Sequence, residues 1–352
     1  MAVSVPSVTM KALMPTNWTI APLTTPTMTQ APRATSAALG RPSYLSPVNL
    51  INILYQTAPV AIMGVAMTVV LITGNFDLSV ASVAALAAAV NILVIDHVGF
   101  WAAMAVSLAT AGAVGVLNGV MVELVGINAF IVTLGTLTAI RGLVLVLTDG
   151  RSLMVGTPAA LAAMTSFESG RAAGLPLPIL YMAGFTLLAG MVLRFTTAGR
   201  RLYAAGGSPE AARLAGINVR GYKLGAFVLS GLAAGFAGVL YASRFGAMNP
   251  TALQGEELTV IAAAILGGTS LFGGAGSVLK TVAGALVLYT LTNGFNVLNL
   301  GANYQGLIEG SVLIAAAAIY TVGGRRRAPR RSAGPPPGAP DAHQAQSQPA
   351  VL

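Results

Sequence analysis

The stretch Gly199-Arg-Arg-Leu-Tyr-Ala-Ala-Gly-Gly-Ser-Pro-Glu-Ala-Ala-Arg-Leu-Ala-Gly-Ile-Asn-Val-Arg-Gly-Tyr-Lys223 is a polar island in an otherwise apolar chain. Within it Ser208 is a favourable N-cap, Pro209 suits the first helical position, and Glu210 complements the positive end of the helix dipole; Gly216 can close the helix in a left-handed conformation. The spacing predicts a helix from Ser208 to Ala215, about two turns long. Isolated helices shorter than roughly 12–15 residues are marginal in water, so one this short needs a surface to dock against. A partner protein is the expected surface.

Around the island the chain is membrane-like. Of 352 residues 55% are hydrophobic and only 8% charged, with a mean hydropathy of +0.77, against roughly 25% charged residues in an ordinary soluble domain. The net charge of +9 does not point to nucleic acid: the cations gather at the ends of apolar runs and in the tail, as cytoplasmic loops require. Without cysteine there is no disulfide, thiolate or iron–sulfur chemistry. His97 and His343 lie far apart in a short loop and a polar tail, which argues against a histidine metal site.

Residues 1–46 are rich in Thr, Pro, Ala and Ser and contain no run near the roughly 20 apolar residues needed to span, so a disordered lead is expected. Met10-Lys-Ala-Leu-Met-Pro15 breaks off too early for a secretory signal, and Asn17-Trp-Thr19 matches a glycosylation sequon by chance. Spans are expected at about 49–73, with Pro59 as a kink, then 79–95, 101–122, 129–148 and 178–195. Residues 149–177 are polar and Gly/Pro-bearing and read as a loop. After the island follow apolar segments at about 224–241, 258–271, 279–297 and 305–322. The second of these is short and runs into Gly267-Gly-Thr-Ser-Leu-Phe-Gly-Gly274, the pattern of a broken or re-entrant element. Four crossings return the chain to the side of the island, and the tail 324–352, with Arg325-Arg-Arg327 and Arg330-Arg331, belongs on that positive, cytoplasmic side before turning Pro/Gly-rich.

Polar residues inside the apolar runs are the candidates for a translocation path. Asp77 reads either as a helix cap at the membrane surface or as a group facing the path. Asn118 either bonds across a helix interface rich in small residues, Gly112, Gly115 and Gly119, or lines a pore. Arg141 either faces protein or water or snorkels to an interface, since an arginine at depth costs about 2.5–3.5 kcal/mol on insertion scales. Asn293 and Glu309 complete the set. Enzyme motifs fail. Gly274-Ala-Gly-Ser-Val-Leu-Lys280-Thr281 has leucine where a phosphate-binding loop needs its second glycine, and it enters a membrane span. No nucleophile elbow or aqueous catalytic domain is present. ATP, if it powers this chain, is bound elsewhere.

Several stretches together resemble permease subunits of bacterial ATP-binding-cassette sugar importers of the ribose, arabinose and xylose type. They are Leu71-Ile-Thr-Gly-Asn-Phe-Asp-Leu-Ser-Val-Ala-Ser-Val83, Leu117-Asn-Gly119, Ala129-Phe-Ile-Val-Thr-Leu-Gly-Thr136 with Arg141-Gly142, the island from Ala204 to Ile217, and Ile265 to Val278 followed by Asn293-Gly294. Their shared order covers roughly residues 44–322. The resemblance implies an all-α polytopic inner-membrane protein with a permease domain over 47–323. It implies that Ser208, Glu210, Ala211, Ala212 and Gly216, within a cytoplasmic coupling loop 199–223, meet the ATPase. It also implies a second permease copy or sister subunit, a periplasmic or lipid-anchored sugar-binding protein, and ATP and magnesium on the ATPase with no cofactor on this chain. About nine spans are expected here where the family usually has ten: the span that commonly precedes the segment matching Ser43-Tyr-Leu-Ser-Pro47 is replaced by the polar lead. Five spans before a cytoplasmic island place residue 1 outside, although Lys11, Arg33 and Arg41 favour the inside. Asn75 stands where the family commonly has glycine. The alternative class is an ion-coupled secondary transporter, which predicts midplane carboxylates and inverted repeats.

Overall fold

The structure, a computed structural model, describes residues 43–297 and 310–311. It divides into two compact units, 1–49 and 50–352. Of the first, the described residues form a 3-10 turn at Ser43–Leu45 and open the first long helix. That helix, α1, runs Pro47–Ile72 with Pro59 inside it. It is followed by α2 (Val80–Val98), α3 (Phe100–Val120), whose last turn loosens into a π-turn at Met121–Val125, and α4 (Ala129–Thr148). Then come α5 (Pro158–Ser169), α6 (Leu177–Phe195), α7 (Thr197–Gly207), α8 (Pro209–Leu214), α9 (Val219–Phe245), α10 (Glu256–Leu266) and α11 (Val278–Val297). Two tiny antiparallel ribbons, β1 (Leu153–Met154) with β4 (Ala247–Met248) and β2 (Arg171–Ala172) with β3 (Leu175–Pro176), tie loops together. Six of the helices, α1, α2, α3 with its π-turn, α4, α6 and α9, are long and apolar enough to cross a membrane.

Three of the six form the centre. The spans α1, α2 and α9 are mostly buried within the protein, whereas α3, α4 and α6 turn large apolar side chains such as Leu117, Ile131, Val146 and Leu188 outward. Small residues make the centre dense. On α9 a methyl group at Gly231 would overlap the Ala111 carbonyl of α3, and one at Gly238 would overlap the Ala84 carbonyl of α2. Backbones approach this closely only where side chains are absent, the usual device for packing helices without a hydrophobic driving force.

Two segments depart from the sequence reading. Residues 149–177, expected as a loop, contain α5, opened by Thr157 (its Oγ1 accepts from the Ala160 amide at 3.4 Å) and by Pro158 at the first helical position. Asp96 at the end of α2 accepts from the Gly156 amide at 2.8 Å and from the Thr157 amide and hydroxyl at 3.0 and 2.7 Å. Phe167 of α5 then packs among Phe100, Trp101, Tyr181 and Phe236. A polar composition concealed the helix because only one face is buried. The expected short element at 258–271 is α10, whose 11 residues cover about 16 Å, half of a ~30 Å hydrocarbon core. The chain then continues as irregular backbone in which Thr269 and Ser270 are buried in protein, one of the settings in which non-helical backbone is tolerated at membrane depth.

Candidate functional site

The island forms two helices rather than one. Thr196 caps α7, its Oγ1 accepting from the Gly199 amide at 3.1 Å. Ser208 then joins α7 to α8: its N–H bonds the Ala204 carbonyl at 3.1 Å and its carbonyl accepts from the Ala212 amide at 2.9 Å. Ser208 occupies the N-cap position in extended conformation, but its hydroxyl makes no capping bond, contrary to the expectation for it. The far end behaves as expected. Gly216 is left-handed at φ +76°; its N–H reaches the Arg213 carbonyl at 2.9 Å and the Ile217 N–H reaches the Ala212 carbonyl at 3.0 Å, which together form a Schellman closure. The motif's apolar contact is present, with Ile217 packed on the buried cluster of Ala205, Ala212 and Val219.

This packing sorts the predicted docking residues. Ala212 is inward and buried, anchoring α8 to its own protein, while Ser208, Glu210, Ala211 and Gly216 are exposed. Beside them Leu214 is 91% exposed, an apolar side chain held out on a charged surface with Arg213 as its neighbour. Sequence reading passed over it because one leucine among many carries no signal. Six cations, Arg194, Arg200, Arg201, Arg213, Arg220 and Lys223, gather at this end of the molecule, the bias expected of a cytoplasmic side.

The predicted path residues are brought together only in part. Asp77 is 2% exposed. Its Oδ1 accepts from the Ser79 amide and hydroxyl at 3.0 and 2.6 Å, and its Oδ2 from the Ser230 hydroxyl of α9 at 2.6 Å. Asn118 of α3 donates to the Ser79 hydroxyl at 2.9 Å and accepts from the Thr136 hydroxyl of α4 at 2.7 Å. One buried polar chain therefore links α2, α3, α4 and α9. Asp77 is thus buried among protein groups in the short turn before α2, and Asn118 does bond across a helix interface. Burial holds the Asp77 carboxyl above the usual carboxylate range, against the pull of the three hydrogen bonds.

Arg141 faces protein and does not snorkel. Its two terminal nitrogens donate to the Ala252 and Leu253 carbonyls at 2.6 and 2.8 Å, with Glu257 at 4.0 Å. It clamps the turn entering α10, where Leu253 is forced to φ +57°, a costly conformation for a branched residue. Arg141→Leu is expected to strand both carbonyls and Glu257 and to cost about 1–3 kcal/mol, read as a lower unfolding temperature of the solubilised protein. Arg141→Lys should recover only part, because a single ammonium cannot reproduce the fork. Asn293 is buried on α11, and Glu309 lies outside the described residues.

Among the described candidates, Asp77, Asn118, Arg141 and Asn293, none lines the cavity at the opposite, outer end of the molecule. That cavity, about 240 Å³, is bounded by Tyr55 of α1, Glu168 of α5, Tyr241 and Arg244 of α9, Glu256 of α10 and Tyr289 of α11. The Tyr55 hydroxyl donates to Glu168 Oε1, and the Ser169 hydroxyl to Oε2 at 2.8 Å. The Arg244 guanidinium lies over the Tyr55 ring at 4.6 Å. These residues come from five elements far apart in the chain, so no local motif announces them.

A bundle of membrane-crossing helices, with a short helix exposed on one face and a cavity at the other, has the form of a transport subunit. Residues 49–317 match the family described as branched-chain amino acid transport system / permease component. The chain is 39% identical over 279 residues to the ribose import permease protein RbsC of Escherichia coli (strain K12), covering 79% of this chain and 87% of that protein. It is 36% identical over 284 residues to the L-arabinose transport system permease protein AraH of the same strain (80% and 85% covered) and 34% identical over 282 residues to its D-allose transport system permease protein AlsC (78% and 84%). No solved structure matches. The chain belongs to this permease family. It is a transmembrane permease component of an ATP-binding-cassette importer, resident in the inner membrane.

Proposed function

We propose that this chain carries a monosaccharide inward, driven by a separate ATPase subunit that binds ATP and magnesium and docks on α8. The observation that carries the docking is the closure of α8 at both ends on its own protein with Leu214, Glu210 and Ala211 left exposed. A six-residue helix gains little from its own hydrogen bonds; held out in this way, it offers a rigid knob to a partner. The cargo class is supported by the ribose, arabinose and allose relatives. A sugar-binding protein on the outer side delivers it, and a second permease copy or a sister subunit completes the path beside the outward-facing α3, α4 and α6. ATP-driven closure of the ATPase pair moves α8 and with it α9, which begins at Val219, so that the path alternates in access.

The test is ATP-dependent uptake of radiolabelled monosaccharides by vesicles carrying the permease with its ATPase and binding protein. In Glu210→Lys, a reversed charge at the docking surface, uptake is expected to fall at least tenfold, the equivalent of about 1.4 kcal/mol, with the permease inserted but no longer co-purifying with the ATPase. Undiminished uptake removes the docking role. Uptake that survives ATP depletion but collapses with the proton or sodium gradient identifies a secondary transporter instead.

A further inference from the structure

We propose that the outer cavity is a subsite for a sugar ring on the translocation path, an assignment that rests on the monosaccharide reading of the cargo. Its lining combines ring faces with hydrogen-bonding groups. Tyr55, Tyr241 and Tyr289 line the cavity with aromatic surface, on which the apolar C–H face of a pyranose or furanose packs as other apolar groups do. Gln56, Glu168 and Arg244 line the same cavity with hydrogen-bonding groups.

Arg244 carries the argument. Its guanidinium is held by two ring faces, 4.6 Å from the Tyr55 centroid and 5.6 Å from that of Phe245, and forms no hydrogen bond or ion pair with another described residue. Ring faces position a guanidinium without using its N–H donors. A partly enclosed fork of five donors without acceptors matches the adjacent hydroxyl oxygens of a sugar. Glu168 is complementary. It is 3% exposed, and the Tyr55 and Ser169 hydroxyls occupy one acceptor position on each oxygen; a carboxylate has about four such positions, which leaves room for sugar hydroxyls to donate. At about 240 Å³ the cavity lies just below the ~300–1,000 Å³ of drug-sized pockets, a scale that suits one small ring.

The placement adds to the chemistry. Six helices, α1, α5, α6, α9, α10 and α11, contribute to the lining, and two of them, α10 and α11, are joined by the irregular stretch 267–277. A site divided among separately anchored elements opens when one of them shifts.

The experiment uses the whole transporter in proteoliposomes, with D-ribose, L-arabinose and L-leucine as probes. Because the binding protein sets the affinity for free sugar, the subsite acts on the maximal rate and on the choice between sugars. Arg244→Gln is expected to lower maximal sugar uptake about tenfold, the loss of one charge-assisted hydrogen-bonding group, and to change the ribose-to-arabinose rate ratio at least about threefold, roughly half of that free energy. Tyr241→Ala is expected to do likewise and Tyr241→Phe to retain transport; Gln56→Leu supplies the same comparison if Arg244→Gln fails to insert and co-purify with the ATPase. Sugar uptake by the wild type that these substitutions leave unchanged overturns the subsite while the cargo class stands. So does a slower rate with the ratio unaltered, the mark of a structural role. A wild type that moves L-leucine and no sugar overturns the cargo class, and the sugar subsite with it.

Discussion

Gly206→Val is expected to abolish ATP-driven uptake and to lower sharply the yield of folded permease. Three backbone segments meet at this glycine: the end of α1, the end of α7 and the loop between α10 and α11. A methyl group at Gly206 would overlap the Ile72 carbonyl oxygen, which itself accepts from the Gly274 amide at 2.9 Å. On the third side Gly273 and Gly274 hold φ of +86° and +73°, and a Cβ on Gly273 would lie 2.6 Å from the Gly206 carbonyl. No neighbouring side chain can yield, because every obstacle is main chain. Overpacking of this kind costs about 1–3 kcal/mol for added methylenes and more where the backbone must move, so Gly206→Ala should be intermediate. Gly207→Ala is the internal control: its Cβ would meet Gly274 Cα at 3.6 Å, ordinary contact, and near-normal stability is expected. Thermal unfolding of the solubilised variants ranks the three. Equal behaviour of Gly206→Val and Gly207→Ala would remove the packing argument.

Asp77→Ala should be the most damaging single change in the buried polar chain. It removes three hydrogen bonds at once and leaves the Ser230 and Ser79 hydroxyls without their acceptor. With about 1–3 kcal/mol for each buried group left unsatisfied, a loss of about 3 kcal/mol or more is expected. Asp77→Asn keeps the shape and one acceptor oxygen and should cost much less. The pair also carries a pH dependence. Because burial raises the folded-state pKa of Asp77, the native protein holds this proton more readily than the unfolded chain does. The stabilisation linked to that proton is complete below the ordinary carboxylate pKa of about 3.9 and is lost as pH rises through the raised value. The stability of the wild type relative to Asp77→Asn is therefore expected to increase as pH is lowered from neutrality. A difference independent of pH would show that the carboxyl titrates alike in both states.

The spans and the short helix α8 were legible because their signals are local. Apolar runs of sufficient length place α1, α2, α3, α4, α6 and α9 within a few residues of their observed ends, and Gly216 needs only its own left-handed conformation to close α8. What escaped depends on tertiary contact. The hydroxyl of Ser208 has no capping role because its backbone serves two helices at once, a fact absent from the Ser-Pro-Glu pattern. The helix α5 owes its order to Asp96, some sixty residues earlier, and to a cluster of rings on other elements. Arg141 was legible as a residue that must avoid lipid, but its targets are two main-chain carbonyls, which no side-chain pattern marks. The cavity residues were illegible for the same reason: Tyr55 and Glu168 are 113 positions apart and meet only once α1 and α5 have packed together.

The length of α9 links the two faces of the molecule. It begins immediately after the docking helix and reaches the outer cavity at Arg244, as one uninterrupted element of 27 residues, about 40 Å at 1.5 Å per residue. Pinned near its middle where Gly231 and Gly238 touch neighbouring main chain, such a rod is a lever with its fulcrum inside the bilayer. A tilt of about 5° about that pivot moves each tip by nearly 2 Å in opposite directions, given a half-length of about 20 Å. An inward push at the cytoplasmic tip thus draws the cation at the other tip the opposite way, and the gearing between the two is set by where along the helix the glycines fall.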